Sequence, residues 1–193
     1  LIFLTHGALG LIHRYPLDYG EAPLVDQALR LAQGENIYQR GLSQPPYTIA
    51  NYPPLYPLLM TPFVGLFGPS FLPGRLLSVL CTGATAVFLG LTLHAHTRDR
   101  TAALVAGGVF LSIRYVVGWS VLARVDMLAL ALSTAALYTV SRFGDDRRGV
   151  VITGLLLVGA VYTRQSYGLA APLAAFVWVW RIRGWRAALQ LAG

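Results

Sequence analysis

The chain has 193 residues, of which 55% are apolar and only 12% charged, and its net charge of +7 is carried by 15 arginines with no lysine. Charged residues at about half the share of a soluble domain argue against a soluble globular protein, and the apolar content excludes a disordered chain. The single cysteine, Cys81, excludes a disulfide framework and a cysteine-based zinc site, and arginines that punctuate long apolar runs describe a membrane protein and not a nucleic-acid binder.

Residues 1–12 are apolar but too short to cross a bilayer core of about 30 Å, and they lack the basic start of a signal peptide. They read as the outer half of a truncated first span. A loop follows at 13–56. Within it, Glu21 and Pro23 open an amphipathic helix that Gly34 closes, with Leu24, Val25, Ala28, Leu29, Leu31 and Ala32 on one face and Asp26, Gln27, Arg30 and Gln33 on the other. Such a helix suits the membrane surface. Proline and tyrosine at 44–47 and 51–57 predict rigid backbone at headgroup depth. The apolar stretch 55–67 is too short to cross, and its 57–67 part reads as a short interfacial or re-entrant helix. Spans are predicted at 72–97, 101–122, 124–141, 149–164 and 168–182. The fold expected is therefore all-α and integral to the membrane, with about six transmembrane helices in one membrane domain over 1–193, the fragment of a longer enzyme or transporter.

Orientation follows from the arginines. Three hairpins carry Arg98, Arg100, Arg142, Arg147, Arg148, Arg181, Arg183 and Arg186 against Asp99, Asp145 and Asp146, whereas loop 13–56 carries Arg14, Arg30 and Arg40 against Asp18, Glu21, Asp26 and Glu35. Positive loops stay in the cytoplasm, so the long loop is outside. A rise of about 1.5 Å per residue converts spacing into depth. Arg114, Asp126 and Arg164 then lie roughly 21–26 Å above the cytoplasmic arginines on three different hairpin arms, Arg124 slightly higher, and Arg75 at the outer surface about 35 Å up. Charges at such depth face a cavity, a partner or a substrate, or else snorkel to the headgroups. Three arms converging at one depth favour a cavity. Its net charge is positive, which suits an anionic headgroup such as a lipid phosphate. Arg124 and Asp126, two apart, are expected on different sides of a helix.

Asp18 and Glu21 follow the first span directly. Two carboxylates above a positive cavity fit general base catalysis, although a D-x-x-E of this kind also serves as a helix cap. His6, His13, His94 and His96 lack metal-ligand spacing and read as interfacial. Trp178, Trp180 and Trp185 look like belt residues, and there is no phosphate-binding or dinucleotide-binding glycine loop.

Asp18-Tyr19-Gly20-Glu21, then Gly34-Glu35-Asn36-Ile37-Tyr38, then Asn51-Tyr52-Pro53-Pro54-Leu55-Tyr56-Pro57, resembles the GT-C membrane glycosyltransferases in order and spacing. More narrowly, the chain is similar to the protein O-mannosyltransferase and lipid A aminoarabinose transferase family, and 123–128 and 162–165 look like segments of its bacterial members. The resemblance implies an inverting transfer of a sugar from a polyprenyl-phosphate carrier to a hydroxyl acceptor, on the non-cytoplasmic face of the inner membrane. It implies that Asp18 or Glu21 supplies the base. The relatives carry adjacent acids, and a lysine before the second motif, where this chain has Asn51 and Tyr52. The phosphate would then fall to Arg124 or Arg164, with Arg114, Asp126, Asn51 and Tyr52 around it. The partners implied are the lipid-linked sugar, membrane lipids and a lipid, glycan or protein acceptor. No cofactor is called for, and a divalent metal is left open. The competing readings are a transporter or flippase of a lipid-linked anion and a non-catalytic relative that binds lipid phosphate.

Overall fold

The computed structural model describes residues 1–39, 41, 43, 45 and 47–192, and the described residues form helices and connections without a strand. The rigid stretch expected at 44–47 lies partly outside the described residues. The chain opens with α1 (Ile2–Ile12), followed by α2 (Glu21–Ala32) and α3 (Leu55–Phe67). The long α4 (Leu72–Thr97) leads through a tight turn to α5 (Arg100–Ser112) and α6 (Arg114–Trp119). Then come α7 (Asp126–Phe143), α8 (Arg147–Thr163), a 3-10 turn at Gln165–Tyr167, α9 (Ala170–Arg183) and α10 (Trp185–Ala192).

Local chemistry explains the boundaries. Glu21 lies at the positive end of α2, and Gly34 takes a φ of 79° just past its other end. Asp99 caps α5 by accepting the N–H groups of Thr101 at 2.7 Å and Ala102 at 3.2 Å. The span expected at 101–122 is two helices instead of one. The Ser112 hydroxyl bonds back to Val109 O at 2.7 Å, competing with the helical ladder, and Ile113 turns extended before α6 begins.

Among the described residues, α4 is the one helix both long and apolar enough to cross a membrane by length and composition. α1, α3 and α5 are apolar but shorter. The sequence led us to expect about six spans. The later helices that answer to 124–141, 149–164 and 168–182 have 18, 17 and 14 residues, and only the all-helical character of that expectation is established. α10 was not anticipated.

Two apolar clusters hold the bundle together. The first joins Leu24 and Ala28 of α2 to Tyr56, Met60 and Val64 of α3, Cys81 of α4, and Val125, Met127, Leu128 and Ala131 at the start of α7. The second joins the far half of α7, through Ala136 and Val140, to Val150 and Leu157 of α8, Ala171, Ala175 and Val179 of α9, and Ala188 of α10. α7 runs through both. α2 therefore packs its apolar face on protein rather than lying alone on a lipid surface. Its expected polar face is also partly buried, because the chain after the helix folds back: Arg30 donates from Nε to Glu35 at 3.0 Å and from Nη2 to Asn36 O at 3.0 Å. The outward faces of α4, α5 and α8 remain apolar, with Leu80, Leu104 and Leu155 exposed, a continuous skin of the kind that lipid covers.

Gly74 marks a close approach. A Cβ there would stand 2.6 Å from the Tyr56 hydroxyl and 2.7 Å from Ala123 Cβ. In an open helix Gly→Ala stabilises by roughly 0.5–1 kcal/mol. Here the overlap should reverse the sign, and Gly74→Ala should destabilise by about 1–3 kcal/mol. Thermal unfolding in detergent reads this directly; a variant more stable than the parent would contradict the packing described.

Candidate functional site

The C-terminal ends of α1 and α8 and the N-terminal ends of α2, α4 and α7 meet where the charged residues gather. The innermost pair is Glu21 with Arg75, both fully buried. Arg75 donates from Nε to Glu21 Oε1 at 2.9 Å and from Nη2 to Oε2 at 2.8 Å. Its Nη1 reaches Gly10 O at 3.0 Å and His13 O at 2.5 Å, and Nη2 also reaches Tyr15 O at 2.7 Å. All five guanidinium N–H groups are thus used. Glu21 is equally saturated, since Oε1 also accepts Ala123 N–H at 2.8 Å and Oε2 accepts Leu17 N–H at 2.6 Å. Burial pushes the Glu21 carboxyl up, but the Arg75 hydrogen bonds, the two backbone N–H groups and the Arg75 charge outweigh it and hold the group below the usual carboxylate range. Sequence reasoning put Arg75 on the outer surface and missed this pair. A signal was present: Arg75 lies near the start of α4, where the helix dipole disfavours a cation, so it needed a partner.

Around this pair lies a second, more open chain of charges. Arg124 Nη1 pairs with Asp18 Oδ1, Arg124 Nε faces Asp126 Oδ2 at 3.6 Å, and Arg164 Nη1 pairs with Asp126 Oδ1. The order is Asp18, Arg124, Asp126, Arg164, with alternating sign. Arg124 and Asp126 do pair, against the helical expectation, because 120–125 is not helical and Arg124 sits on the turn that feeds α7. Tyr52 joins the two cations, its hydroxyl 3.2 Å from Arg124 Nη2 and its ring 5.7 Å from the Arg164 guanidinium carbon. Tyr19 and Trp119, which sequence reasoning did not single out, stand 5.5 and 5.0 Å from the Arg124 guanidinium carbon. The 3-10 turn after α8 is tied down by Gln165 Nε2, which donates to Asn51 O at 3.1 Å, so Asn51 takes part through its backbone.

Of the residues read from the sequence, Asp18, Arg124, Asp126, Arg164 and Tyr52 are brought together. Arg114 is not: it is exposed at the start of α6 and makes no ion pair among the described residues. With Arg114 outside and Asp18 inside, two arginines face two aspartates, so the cluster is balanced rather than net positive as expected.

The two acids of the outer loop differ in kind. Glu21 has no oxygen to spare. Asp18 uses Oδ1 for both Gly20 N–H, at 2.9 Å, and Arg124, and no hydrogen bond among the described residues uses Oδ2. Burial pushes its carboxyl up, yet the Gly20 N–H and the Arg124 guanidinium prevail and hold it below its ordinary range. Arg164 shows the matching asymmetry. Its side chain is 30% exposed, Nε donates to Ser166 Oγ at 3.0 Å, Nη1 meets Asp126, and Nη2 is uncommitted among the described residues. No group of three or more His, Cys, Asp or Glu side chains converges among the described residues in a way that could hold a metal ion.

The described residues thus form a helical bundle with apolar outward faces and with acids and arginines gathered at one end. Residues 51–190 match the family described as dolichyl-phosphate-mannose-protein mannosyltransferase, and the chain belongs to that family. It is thereby a membrane glycosyltransferase of the GT-C type, mannosyltransferase-like. No curated protein and no solved structure matches the chain. The family match begins at Asn51, so the roles of Asp18 and Glu21 rest on their geometry alone.

Removing the cation from a buried ion pair leaves the anion stranded, at a cost of about 3–5 kcal/mol. Arg75→Met should lower stability by that much, and Glu21→Gln in the same chain should restore part of it. Acid acts in the same direction. Because both carboxyls are depressed in the folded state, their stabilisation is complete above the ordinary carboxylate range and is lost as pH falls below about 4. Unfolding midpoints across pH for the parent and the two variants check both statements; Arg75→Met unfolding together with the parent would refute the pairing.

Proposed function

We propose that the chain transfers a sugar from a polyprenyl-phosphate donor to a hydroxyl acceptor, with inversion, on the non-cytoplasmic face of the membrane. Asp18 is the general base and Arg164, backed by Arg124, receives the donor phosphate. One observation carries this reading: Asp18 Oδ2 and Arg164 Nη2 are the uncommitted ends of one continuous chain of charges, whereas every polar atom of the Glu21–Arg75 pair is taken.

In this reading the acceptor hydroxyl enters from the aqueous side and gives its proton to Asp18 Oδ2. Its oxygen forms a bond to the anomeric carbon while the bond from that carbon to the phosphate oxygen breaks. The electron pair leaves with the polyprenyl phosphate, where the growing negative charge meets guanidinium groups already in place. Arg164 Nη2, uncommitted among the described residues, carries two N–H groups that a phosphate can accept from. Asp18 is held ionised at neutral pH, so it is ready to accept the proton. The lipid-linked sugar supplies the chemistry, and no cofactor is called for.

The same reading places about six helical segments in the membrane, with α4 a full crossing and α1, α5 with α6, α7, α8 and α9 beside it. The arginine-rich turns at 98–100, 142–148 and 181–186 then face the cytoplasm of the inner membrane. A single cysteine at position 145 in a Cys81→Ser background should resist an impermeant thiol reagent added outside, while one at position 19 should react; the opposite pattern inverts the topology and ends the reading.

For the chemistry, Asp18→Asn in the full-length protein should reduce turnover about 10²- to 10⁴-fold with donor binding retained. Arg164→Ala should raise the donor KM and also slow transfer. An Asp18→Asn enzyme with undiminished turnover would remove Asp18 as the base, and a parent that binds lipid phosphate without transferring sugar would make this a binding relative of the transferases.

A further inference from the structure

Arg124 sits on a segment that does not hold its own shape. Residues 121–125 form no helical ladder; Arg124 N–H turns back to Leu122 O at 2.7 Å. The segment is held from outside. Ser78 on α4 donates its hydroxyl to Leu122 O at 2.5 Å, Gly74 on the same helix makes room for Ala123, and Glu21 accepts Ala123 N–H at 2.8 Å. The other oxygen of Glu21 accepts Leu17 N–H at 2.6 Å. One carboxylate therefore grips the residue before Asp18 and the residue before Arg124.

We infer that Glu21 is a positioning residue, which sets the spacing of Asp18 and Arg124 by holding the backbone just ahead of each, with Arg75 as the counterion that fixes the carboxylate itself. The two acids of the outer-loop motif divide the work: one meets the acceptor, and the other aligns it with the cation. This rests on the reading of Asp18 and Arg124 given above. Both gripped N–H groups are donors, so the holder must present acceptors on both oxygens. A carboxylate does so and an amide does not, since its nitrogen offers hydrogens to a backbone N–H. Ala123, 102 residues on from Glu21, is joined to Leu17 by this one side chain. A displacement of about 1 Å at such a site can cost about 10²-fold in rate.

The test is a double-mutant cycle in the full-length protein in nanodiscs. Glu21→Gln should lower kcat/KM for transfer roughly 10- to 100-fold while keeping the acidic limb of the pH–rate profile, which Asp18→Asn should abolish. In an Arg124→Ala background, where there is no guanidinium left to align, Glu21→Gln should cost no more than about twofold further. Loss of the acidic limb in Glu21→Gln would make Glu21 the base and overturn the inference. An undiminished further loss in the Arg124→Ala background would show that Glu21 acts independently of Arg124, and would overturn it as well. If Glu21→Gln does not fold, Ser78→Ala loosens the same segment without touching a charge, and the same cycle is read with it. If the parent transfers no sugar, the transferase reading fails on its own, and the cycle is read from binding of polyprenyl monophosphate, where the same non-additivity is expected.

Discussion

The end of the bundle that gathers the charged residues depends on one buried ion pair. Glu21 and Arg75 come from segments with no helical register in common, and between them they close the hydrogen-bonding needs of α1's last turn, the loop behind it, the start of α2 and the segment leading into α7. A buried pair of this kind is not a cheap source of stability, because both charges must leave water. Its value lies in specification. The carbonyls of Gly10, His13 and Tyr15 end where a helix would leave them unpaired, and a single guanidinium collects them.

Beside it, the chain from Asp18 to Arg164 has the opposite character. It is partly solvated and electrically balanced, and it is incomplete at both ends. A balanced cluster does not pull an anion in by net charge, so on the proposed reading a phosphate arriving at Arg164 shares that guanidinium with Asp126. The gain has to come from the direction of the uncommitted N–H groups and from the low dielectric around them. Tyr52 ties the two arginines into one unit. Its side chain steers cations contributed by the residue after α8 and by the segment before α7.

Much of this was legible in the sequence, and the parts that were not share a cause. Periodicity and caps placed α2 at Glu21 and ended it by Gly34, and depth counting brought Arg164 and Asp126 to one level, because helical rise is a reliable ruler wherever the chain is helical. The same ruler failed where the chain is not. Treating 124–126 as helix separated Arg124 from Asp126, and treating 101–122 as one helix carried Arg114 into the cluster; a break at Ile113 undoes the second and a turn at 120–125 undoes the first. The Glu21–Arg75 pair spans 54 residues and depends on tertiary packing, so spacing could not reveal it, although a cation at the positive end of α4 was a local inconsistency that called for a partner. α2 was read correctly as amphipathic, but whether its apolar face meets lipid or protein is not written in its own residues.

The shortness of α8 and α9 has a further consequence. Helices of 17 and 14 residues rise only about 25 and 21 Å, less than the hydrocarbon thickness of about 30 Å. Placed in a bilayer as proposed, the turn carrying Arg164 ends within the membrane's thickness instead of beyond it. On the proposed reading, water and acceptor descend to the phosphate ester, and the lipid need not be drawn up out of the bilayer to react. The work of extracting a long isoprenoid chain from hydrocarbon is avoided by geometry, through two helices that end early.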